Sequence, residues 1–235
     1  LDLHRQGRAG IPEAVLAEGK SLPQVVTISV RMAQAVGRAL VTRLPSGWGD
    51  ELRAQLQPEL AVDLFGEGRL AVVSRPGHRP QPSGGVVGLL AAGSADIPVA
   101  EEARITAQEM GCEVLHFYDV GVAGIHRLVE PLETLRGDQR LGAVIVVAGM
   151  EGALPTVVKG LIPLPVIGVP TSVGYGYGGG GTAALMSMLQ SCSPGLTVVN
   201  IDNGFCAGAT AALIANRLAV LSGRAPAAPG FDHGL

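Results

Sequence analysis

The side chains best suited to chemistry lie in five short loops in the second half of the chain. Each loop follows an apolar run and precedes an alanine-rich stretch of helical composition. The loops read GSADIP (93–98), DVGVAGIHR (119–127), GMEGALP (149–155), PTSVGYGYGGGG (170–181) and DNGFCAG (202–208). They supply carboxylates, hydroxyls, a His-Arg pair and a thiol, which are groups that bind anions, transfer protons or form covalent intermediates.

Two carboxylates stand out. Asp96 shares the first loop with Ser94, where an aspartate can simply cap the following helix. The backbone N–H groups at the start of that helix would also suit a phosphate or carboxylate ligand. Glu151 follows the most apolar run of the chain, and its loop contains no Lys or Arg. It could cap a helix, bind a metal ion or act as a base.

The second and fourth loops offer groups for binding anions. His126 and Arg127 are either solvated surface residues or an anion contact with a neighbouring proton carrier. Thr171 and Ser172 provide hydroxyls, and the following glycine run either approaches a ligand closely or forms a flexible lid. That run fits neither the Walker pattern nor the dinucleotide fingerprint.

The three cysteines are Cys112, Cys192 and Cys206. Their odd number and the lack of metal-binding spacing favour free thiols in a reducing compartment, so we expect a cytoplasmic protein. Cys112 has no feature that points to chemistry. Cys192 precedes the last predicted strand and Cys206 follows it, and the residues alone do not choose between them.

Alternating elements must position these loops. Strands are predicted at 86–92, 113–118, 143–148, 166–169 and 196–201, with helices at about 99–110, 125–135, 153–160, 182–191 and 209–221. This alternation predicts a flavodoxin-like, three-layer α/β fold with a parallel sheet. Ligands bind at the carboxyl ends of such strands, so all five loops are expected to converge there.

The rest of the chain is predicted to form a smaller domain and connecting segments. Residues 21–74 are expected to be a small α/β domain whose first helix starts at the capping-box sequence SLPQ. Residues 1–20, too polar for a core, are expected to form an arm. The Pro- and Gly-rich stretch 75–85 predicts a linker to the main domain, 86–223, and 224–235 a C-terminal tail.

Composition limits the partners. The net charge is −3 and no basic block occurs, which argues against nucleic acid. The longest apolar run, 143–148, is far shorter than the roughly 18 residues of a membrane span. The polar, basic start indicates no signal peptide. We therefore expect neither a nucleic-acid nor a membrane partner.

Together the loops resemble the PurE-type aminoimidazole ribotide carboxylases. The resemblance is closer to their LarB-type relatives in nickel-pincer cofactor biosynthesis. The matching segments are GSADIPVAEEA (93–103), YDVGVAGIHRL (118–128), VVAGMEGALPTVVKGL (146–161), VPTSVGYG (169–176), SMLQSC (187–192) and TVVNIDNGF (197–205). Residues 1–20 resemble the arm that precedes the N-terminal domain of that family, so the resemblance spans nearly the whole chain.

The resemblance implies carboxylation of the pyridinium ring of nicotinic acid adenine dinucleotide with cleavage of its phosphoanhydride. The products would be pyridinium-3,5-biscarboxylic acid mononucleotide and AMP. It further implies carbon dioxide as co-substrate, Mg²⁺ as cofactor, no nickel bound by this protein, and a homo-octamer with sites between subunits.

The resemblance also implies residue roles. Cys192, in the SC motif, would be the nucleophile, with Cys206 ranked second. Glu151, in the GMEG motif, would be a base or metal ligand, and Ser94 and Asp96 would hold substrate near the carbon dioxide. The remaining substrate-binding residues would be Gly93, His126, Arg127, Gly149, Met150, Thr171, Ser172, Gly174 and Asn203.

Two alternative functions stay open. One is a PurE-like enzyme acting on aminoimidazole ribotide, and the other is a non-catalytic nucleotide-binding module. The PurE-like function is disfavoured because PurE-type enzymes usually carry a histidine in the loop where this chain has Glu151. They also lack the arm and the first domain.

Overall fold

The computed structural model describes residues 1–225, and the chain divides into two compact units between residues 80 and 81. This boundary falls inside the stretch 75–85 for which a linker is predicted. The predicted tail, 224–235, lies outside the described residues from 226 onward. The first unit contains a four-stranded sheet and the second a five-stranded sheet.

The first unit combines a mixed sheet with three helices. The elements are α1 (Arg5–Ala9), β1 (Ala14–Leu16), α2 (Leu22–Val36), β2 (Arg38–Thr42), α3 (Trp48–Leu56), β3 (Ala61–Phe65) and β4 (Leu70–Ser74). The sheet order is β1-β2-β4-β3, with only β1 and β2 parallel. Helix α2 starts at the predicted capping box, where the Ser21 N–H donates to Oε1 of Gln24 at 2.9 Å.

Residues 1–20 differ from the expected arm, because β1 joins the sheet of the first unit. Val15 and Ala17 are buried in its core, whereas Leu16 between them is exposed. A period of two residues suffices for a half-buried strand even where the average composition is polar. The expectation rested on that average and therefore overlooked a short strand.

The second unit is a parallel sheet covered by helices. Its elements are β5 (Val86–Ala91), α4 (Ile97–Glu109), β6 (Glu113–Phe117), α5 (Val129–Gly137), β7 (Leu141–Ala148), α6 (Leu154–Leu161), β8 (Val166–Pro170), α7 (Thr182–Leu189), β9 (Leu196–Val198) and α8 (Gly204–Leu221). The order β6-β5-β7-β8-β9 is the flavodoxin-like arrangement. The predicted fold class is confirmed.

Both faces of this sheet are covered. On one face α8 packs against α4 and β7, and a Cβ on Gly208 would lie only 2.4 Å from the carbonyl oxygen of Ala103. On the other face Leu135 of α5, Val158 of α6 and Met188 of α7 form a core with β7. The result is the predicted three-layer structure.

Two element boundaries near the loops differ from the prediction. The helix expected at 125–135 begins only at Val129, because the preceding residues, Val122–Leu128, form a 3-10 turn with a non-helical Gly124. The last helix begins at Gly204 rather than 209, since the Asn203 side chain accepts the N–H of Cys206 at 3.0 Å.

Helix α8 is long and apolar enough to cross a membrane when judged by length and composition alone. Its alanines at 207, 211, 215 and 219 are buried, and the helix contacts α4 and β7. An interior helix of a globular domain is apolar for the same reason. Packing within the second unit therefore accounts for its hydropathy.

Candidate functional site

The loops after β5, β6 and β7 enclose a cleft of about 380 Å³ at the carboxyl ends of the strands. Its size suits a small-molecule site, and Val173, from the loop after β8, completes the wall. The predicted residues that line it are Gly93, Ser94, Asp96, Arg127, Gly149, Met150 and Glu151. Among the described residues, those predicted for the site that do not line it are His126, Thr171, Ser172, Gly174, Cys192 and Asn203.

Asp96 connects three of these loops and is only 4% exposed. Its Oδ1 accepts from the Thr171 hydroxyl at 2.6 Å, and its Oδ2 accepts from the Gly93 N–H at 2.9 Å. The Gly149 N–H also donates to this carboxylate. Burial raises the pKa of Asp96, and the hydrogen bonds oppose that shift without cancelling it.

Thr171 holds Asp96 instead of facing the cleft. Its side chain is fully buried and its hydroxyl is committed to the carboxylate. Gly149 permits this close approach, because a Cβ there would lie 2.6 Å from Thr171 Oγ1 and 2.4 Å from the carbonyl oxygen of Val173. Asp96, Gly149 and Thr171 therefore fix the floor of the cleft.

The raised pKa of Asp96 predicts a specific dependence of stability on pH. The folded state holds the proton more tightly than the unfolded state. The stability from this group is therefore full below the usual value near 3.8 and is lost as pH rises through the folded pKa. In urea unfolding, the free energy of unfolding of wild type minus that of Asp96→Asn should fall as pH increases. A rise of this quantity with pH would show that the pKa is lowered.

Arg127 is held at the cleft by Asp119, a residue that the sequence did not single out. Arg127 Nη1 donates to the carbonyl oxygen of Asp119 at 2.7 Å and lies 2.9 Å from its Oδ2. Asp119 lines the cleft two residues after the end of β6 and has a φ of 56°, which aspartate tolerates better than most residues. Its position after a predicted strand was the feature by which the sequence could have identified Asp119 as a candidate site residue. His126 is exposed.

The third loop presents Glu151 to the cleft. Met150 has a φ of 52°, and its N–H donates to the carbonyl oxygen of Val173 at 2.9 Å, so the loops after β7 and β8 are joined. The Glu151 side chain is exposed at the cleft. Nothing among residues 1–225 pairs with its carboxylate, which leaves both oxygens accessible to a ligand.

Cys192 is exposed in the segment between α7 and the amino end of β9, whereas the cleft lies at the carboxyl ends of the strands. Its neighbours are tied to Thr156 of α6. The Thr156 hydroxyl donates to Ser191 Oγ at 2.8 Å, and Ser193 Oγ donates to the Thr156 carbonyl oxygen at 3.2 Å. The backbone on both sides of the thiol is therefore fixed.

The other two thiols have different surroundings. Cys112 is buried, and burial raises its pKa to about 11, so it is almost entirely protonated at neutral pH. Cys206 is exposed in the first turn of α8, after the carboxyl end of β9. It does not line the cleft either.

The donor set of the cleft bears on Mg²⁺ binding. Residues 1–225 contain no cluster of three or more His, Cys, Asp or Glu side chains placed to hold a metal ion. Mg²⁺ often binds through one or two carboxylates together with substrate phosphates and water. The cleft fits Mg²⁺ in that manner, with Glu151 as the accessible carboxylate.

The charges of the cleft are unbalanced. Asp96, Asp119 and Glu151 line it together with a single guanidinium, that of Arg127. Positive charge from a cation or from another protein chain would therefore strengthen the binding of an anionic ligand in this cleft.

Comparison with known proteins defines the family. The model of the AIR carboxylase family matches residues 86–225. This chain belongs to the AIR carboxylase family. The LarB/PurE-like N-terminal domain matches residues 1–68. This AIR carboxylase family member is therefore a carboxylase- or mutase-type enzyme that carries a LarB-type N-terminal domain.

Individual relatives extend this comparison. An uncharacterized protein of Methanocaldococcus jannaschii is 42% identical over 217 residues, which are 92% of this chain and 83% of that protein. The N5-carboxyaminoimidazole ribonucleotide mutase of the same organism is 32% identical over 127 residues, 54% of this chain and 74% of the mutase. A crystal structure of a Treponema denticola PurE2 variant has 24% identity and a TM-score of 0.46, over 60% of this chain and 81% of that one.

Proposed function

We propose that this AIR carboxylase family member carboxylates the pyridinium ring of nicotinic acid adenine dinucleotide and cleaves its phosphoanhydride. The products are pyridinium-3,5-biscarboxylic acid mononucleotide and AMP, for nickel-pincer cofactor biosynthesis. The observation that carries the proposal is the LarB/PurE-like domain on the same chain as the AIR carboxylase domain. The mutase relative, by contrast, aligns with only 54% of this chain.

A pyridinium ring is electron-poor and cannot attack carbon dioxide. We assign the activation step to the Cys192 thiolate, which adds to the ring carbon beside the nitrogen. The sulfur lone pair forms the new C–S bond, and the C=N π pair moves onto nitrogen. The product is a neutral dienamine whose adjacent ring carbon is nucleophilic, so one difficult step becomes two feasible ones.

The nucleophilic carbon then attacks carbon dioxide, and a carboxylate is formed as the ring nitrogen becomes an iminium again. Glu151 takes the proton from the same carbon. The released C–H pair forms the ring double bond and expels the thiolate, which restores the aromatic pyridinium. The exposed, unpaired Glu151 side chain at the cleft supports this assignment as a general base.

Phosphoanhydride cleavage consumes one water: the water oxygen bonds to one phosphorus, the bond from that phosphorus to the bridging oxygen breaks, and the bridging oxygen leaves with the other phosphate. The protons of the water pass to the products or to solvent, and the phosphate oxygens are charged throughout. Bound Mg²⁺ would neutralise charge on the phosphates, and Glu151 is the cleft carboxylate placed to help hold it. Arg127 would bind an anionic group of the substrate. Asp96 keeps the loops in place from its buried position, while Ser94 lines the cleft beside it and can contact the substrate.

A single chain does not bring Cys192 to the cleft, since this residue precedes the amino end of β9. We therefore propose that each site combines the cleft of one subunit with Cys192 of another, within a homo-octamer. A second chain could also supply the positive charge that the cleft lacks.

Mixing two defective variants tests the shared site. Cys192→Ser and Glu151→Gln proteins should each show at most about 1% of the wild-type rate alone. After dissociation and joint reassembly, random pairing should restore about one quarter of the wild-type rate, because an intact cleft then meets an intact thiol from another chain. Subunit exchange, confirmed by mass spectrometry, without recovered activity would place Cys192 and Glu151 of one site in the same chain.

Substrate choice distinguishes the proposal from the purine alternative. The purified protein is offered, in parallel, nicotinic acid adenine dinucleotide or aminoimidazole ribotide with bicarbonate and Mg²⁺. We expect product only from the dinucleotide. Carboxylation of the ribotide alone would favour the PurE-like function, and binding without turnover of either compound would favour a nucleotide-binding module.

A further inference from the structure

Cys192 lies between two serines that both bind the same residue of α6. Thr156 Oγ1 donates to Ser191 Oγ at 2.8 Å, and Ser193 Oγ donates to the Thr156 carbonyl oxygen at 3.2 Å. The Ser193 N–H also donates to Ser191 Oγ, at 3.2 Å. Ser191 and Ser193 are half-buried, whereas Cys192 between them is exposed. The two serines therefore face α6, and the thiol faces solvent.

Lys159, one turn after Thr156 on α6, packs against the other end of this segment. A Cβ on Gly195 would lie 2.5 Å from Lys159 Cε, and the φ of Gly195 is 92°, a left-handed value that favours glycine. The Lys159 ammonium donates to the carbonyl oxygen of Ile162 at 3.0 Å. Residues three apart share a helix face, so the segment 191–195 rests along one face of α6.

The position of the sulfur atom depends on these neighbouring contacts. Among residues 1–225, none forms a hydrogen bond with the Cys192 thiol itself, so the backbone on either side determines where the sulfur lies. Thr156 contacts both neighbours of Cys192, through its hydroxyl and its carbonyl oxygen. A misplacement of about 1 Å in a reacting group can reduce a rate about a hundredfold.

We propose that Thr156 is a positioning residue for the Cys192 thiolate. Its hydroxyl fixes Ser191 and so keeps the sulfur at the place from which it adds to the ring carbon. Thr156 does not line the cleft, and its effect on the reaction passes through Cys192. The inference rests on the proposed function for the identity of the reaction, but the fixed position of the thiol can be measured without substrate.

Thr156→Val removes the hydroxyl and keeps a β-branched side chain of nearly the same shape. The fold should be retained, because the half-buried Ser191 hydroxyl can bond to water instead. We expect kcat for the dicarboxylated mononucleotide to fall about ten- to hundredfold, with KM for the dinucleotide within about twofold of wild type. Thr156→Ser keeps the hydroxyl and should recover most of kcat. An unchanged kcat in Thr156→Val, or no recovery in Thr156→Ser, would overturn the positioning role.

Thr134→Val is the matched control for loss of a helix hydroxyl. Thr134 lies on α5 in the same unit, and its hydroxyl donates to the carbonyl oxygen of Glu130 at 3.0 Å. This variant should keep the kcat and KM of wild type. Equal losses of kcat in Thr134→Val and Thr156→Val would assign the effect to general destabilisation and overturn the proposal.

Alkylation separates the position of the thiol from its chemical reactivity. Iodoacetamide is small and diffuses freely, so its reaction with Cys192 does not require the sulfur to occupy one fixed place. Modification of the Cys192 peptide, followed by mass spectrometry, should proceed at nearly the same rate in wild type and Thr156→Val. A fall in this rate that parallels the fall in kcat would show that Thr156 acts on the reactivity of the thiol, which contradicts the proposal.

A nitroxide label on Cys192 reports the position of the thiol without any substrate. Cys112 is buried, so Cys206→Ser leaves Cys192 as the one exposed cysteine for labelling. Adding Thr156→Val should replace the immobilised component of the electron paramagnetic resonance spectrum with a mobile one, and Thr156→Ser should preserve it. If wild type makes no product from the dinucleotide, the proposed function fails and this comparison still decides the positioning role. Identical spectra with and without Thr156→Val would overturn it.

Discussion

Cys192→Ser is expected to abolish formation of the dicarboxylated mononucleotide, with a loss on the order of a thousandfold or more. A serine hydroxyl is a far weaker nucleophile at neutral pH, so the ring never becomes a dienamine. Product is quantified by mass spectrometry under single-turnover conditions. The unfolding transition should stay close to that of wild type, since the thiol is exposed.

Cys206→Ser is the matched comparison for this experiment. Both cysteines are exposed, and in each case one sulfur atom is exchanged for oxygen. We expect Cys206→Ser to retain most of the activity. The reverse pattern, with Cys206→Ser inactive and Cys192→Ser active, would assign the covalent step to the first turn of α8.

Glu151→Gln is expected to reduce carboxylation by about a hundred- to ten-thousandfold, the usual range for removal of a general base. Glutamine preserves the size of the side chain but cannot accept the ring proton. The variant should still form the thiolate adduct, which denaturing intact-protein mass spectrometry can detect after rapid quenching. Glu151→Asp should retain intermediate activity, since it keeps the carboxylate on a shorter side chain.

The magnesium concentration separates the two possible roles of Glu151. If its main role is to accept the proton, excess Mg²⁺ does not restore carboxylation by Glu151→Gln. If its main role is to hold the metal ion, higher Mg²⁺ concentrations recover the rate. We expect no recovery of the carboxylation step.

The sheet and its reactive edge were predictable because both depend on local patterns. Apolar runs of strand length alternate with helical stretches, and each run ends at a glycine-containing loop. The parallel sheet follows from that alternation, and the carboxyl ends of its strands must lie together. Asp96, Arg127 and Glu151 line the cleft for this reason.

The partners of these residues were harder to predict, because they depend on distant contacts and on backbone conformation. Thr171 lies 75 residues from Asp96 in sequence, and a hydroxyl beside a glycine-rich loop looks the same whether it faces a ligand or a buried carboxylate. Asp119 holds Arg127 from a left-handed backbone conformation. Neither that conformation nor the contact can be deduced from the spacing of residues in the sequence.

The family resemblance and the fold give different information about Cys192. The resemblance implies that the thiol of the SC motif is the nucleophile. The fold places Cys192 before the amino end of β9, away from the cleft at the carboxyl ends of the strands. The proposed site shared between subunits would satisfy both.

Transfer of a labelled carbon tests the central claim most directly. Wild-type protein is incubated with nicotinic acid adenine dinucleotide, Mg²⁺ and ¹³C-bicarbonate, and the products are followed by carbon NMR and mass spectrometry. We predict one labelled carboxyl group on the pyridinium ring for every AMP released, and no labelled pyridinium product with Cys192→Ser. Release of AMP without label in the ring, or no reaction at all, would contradict the proposed carboxylation.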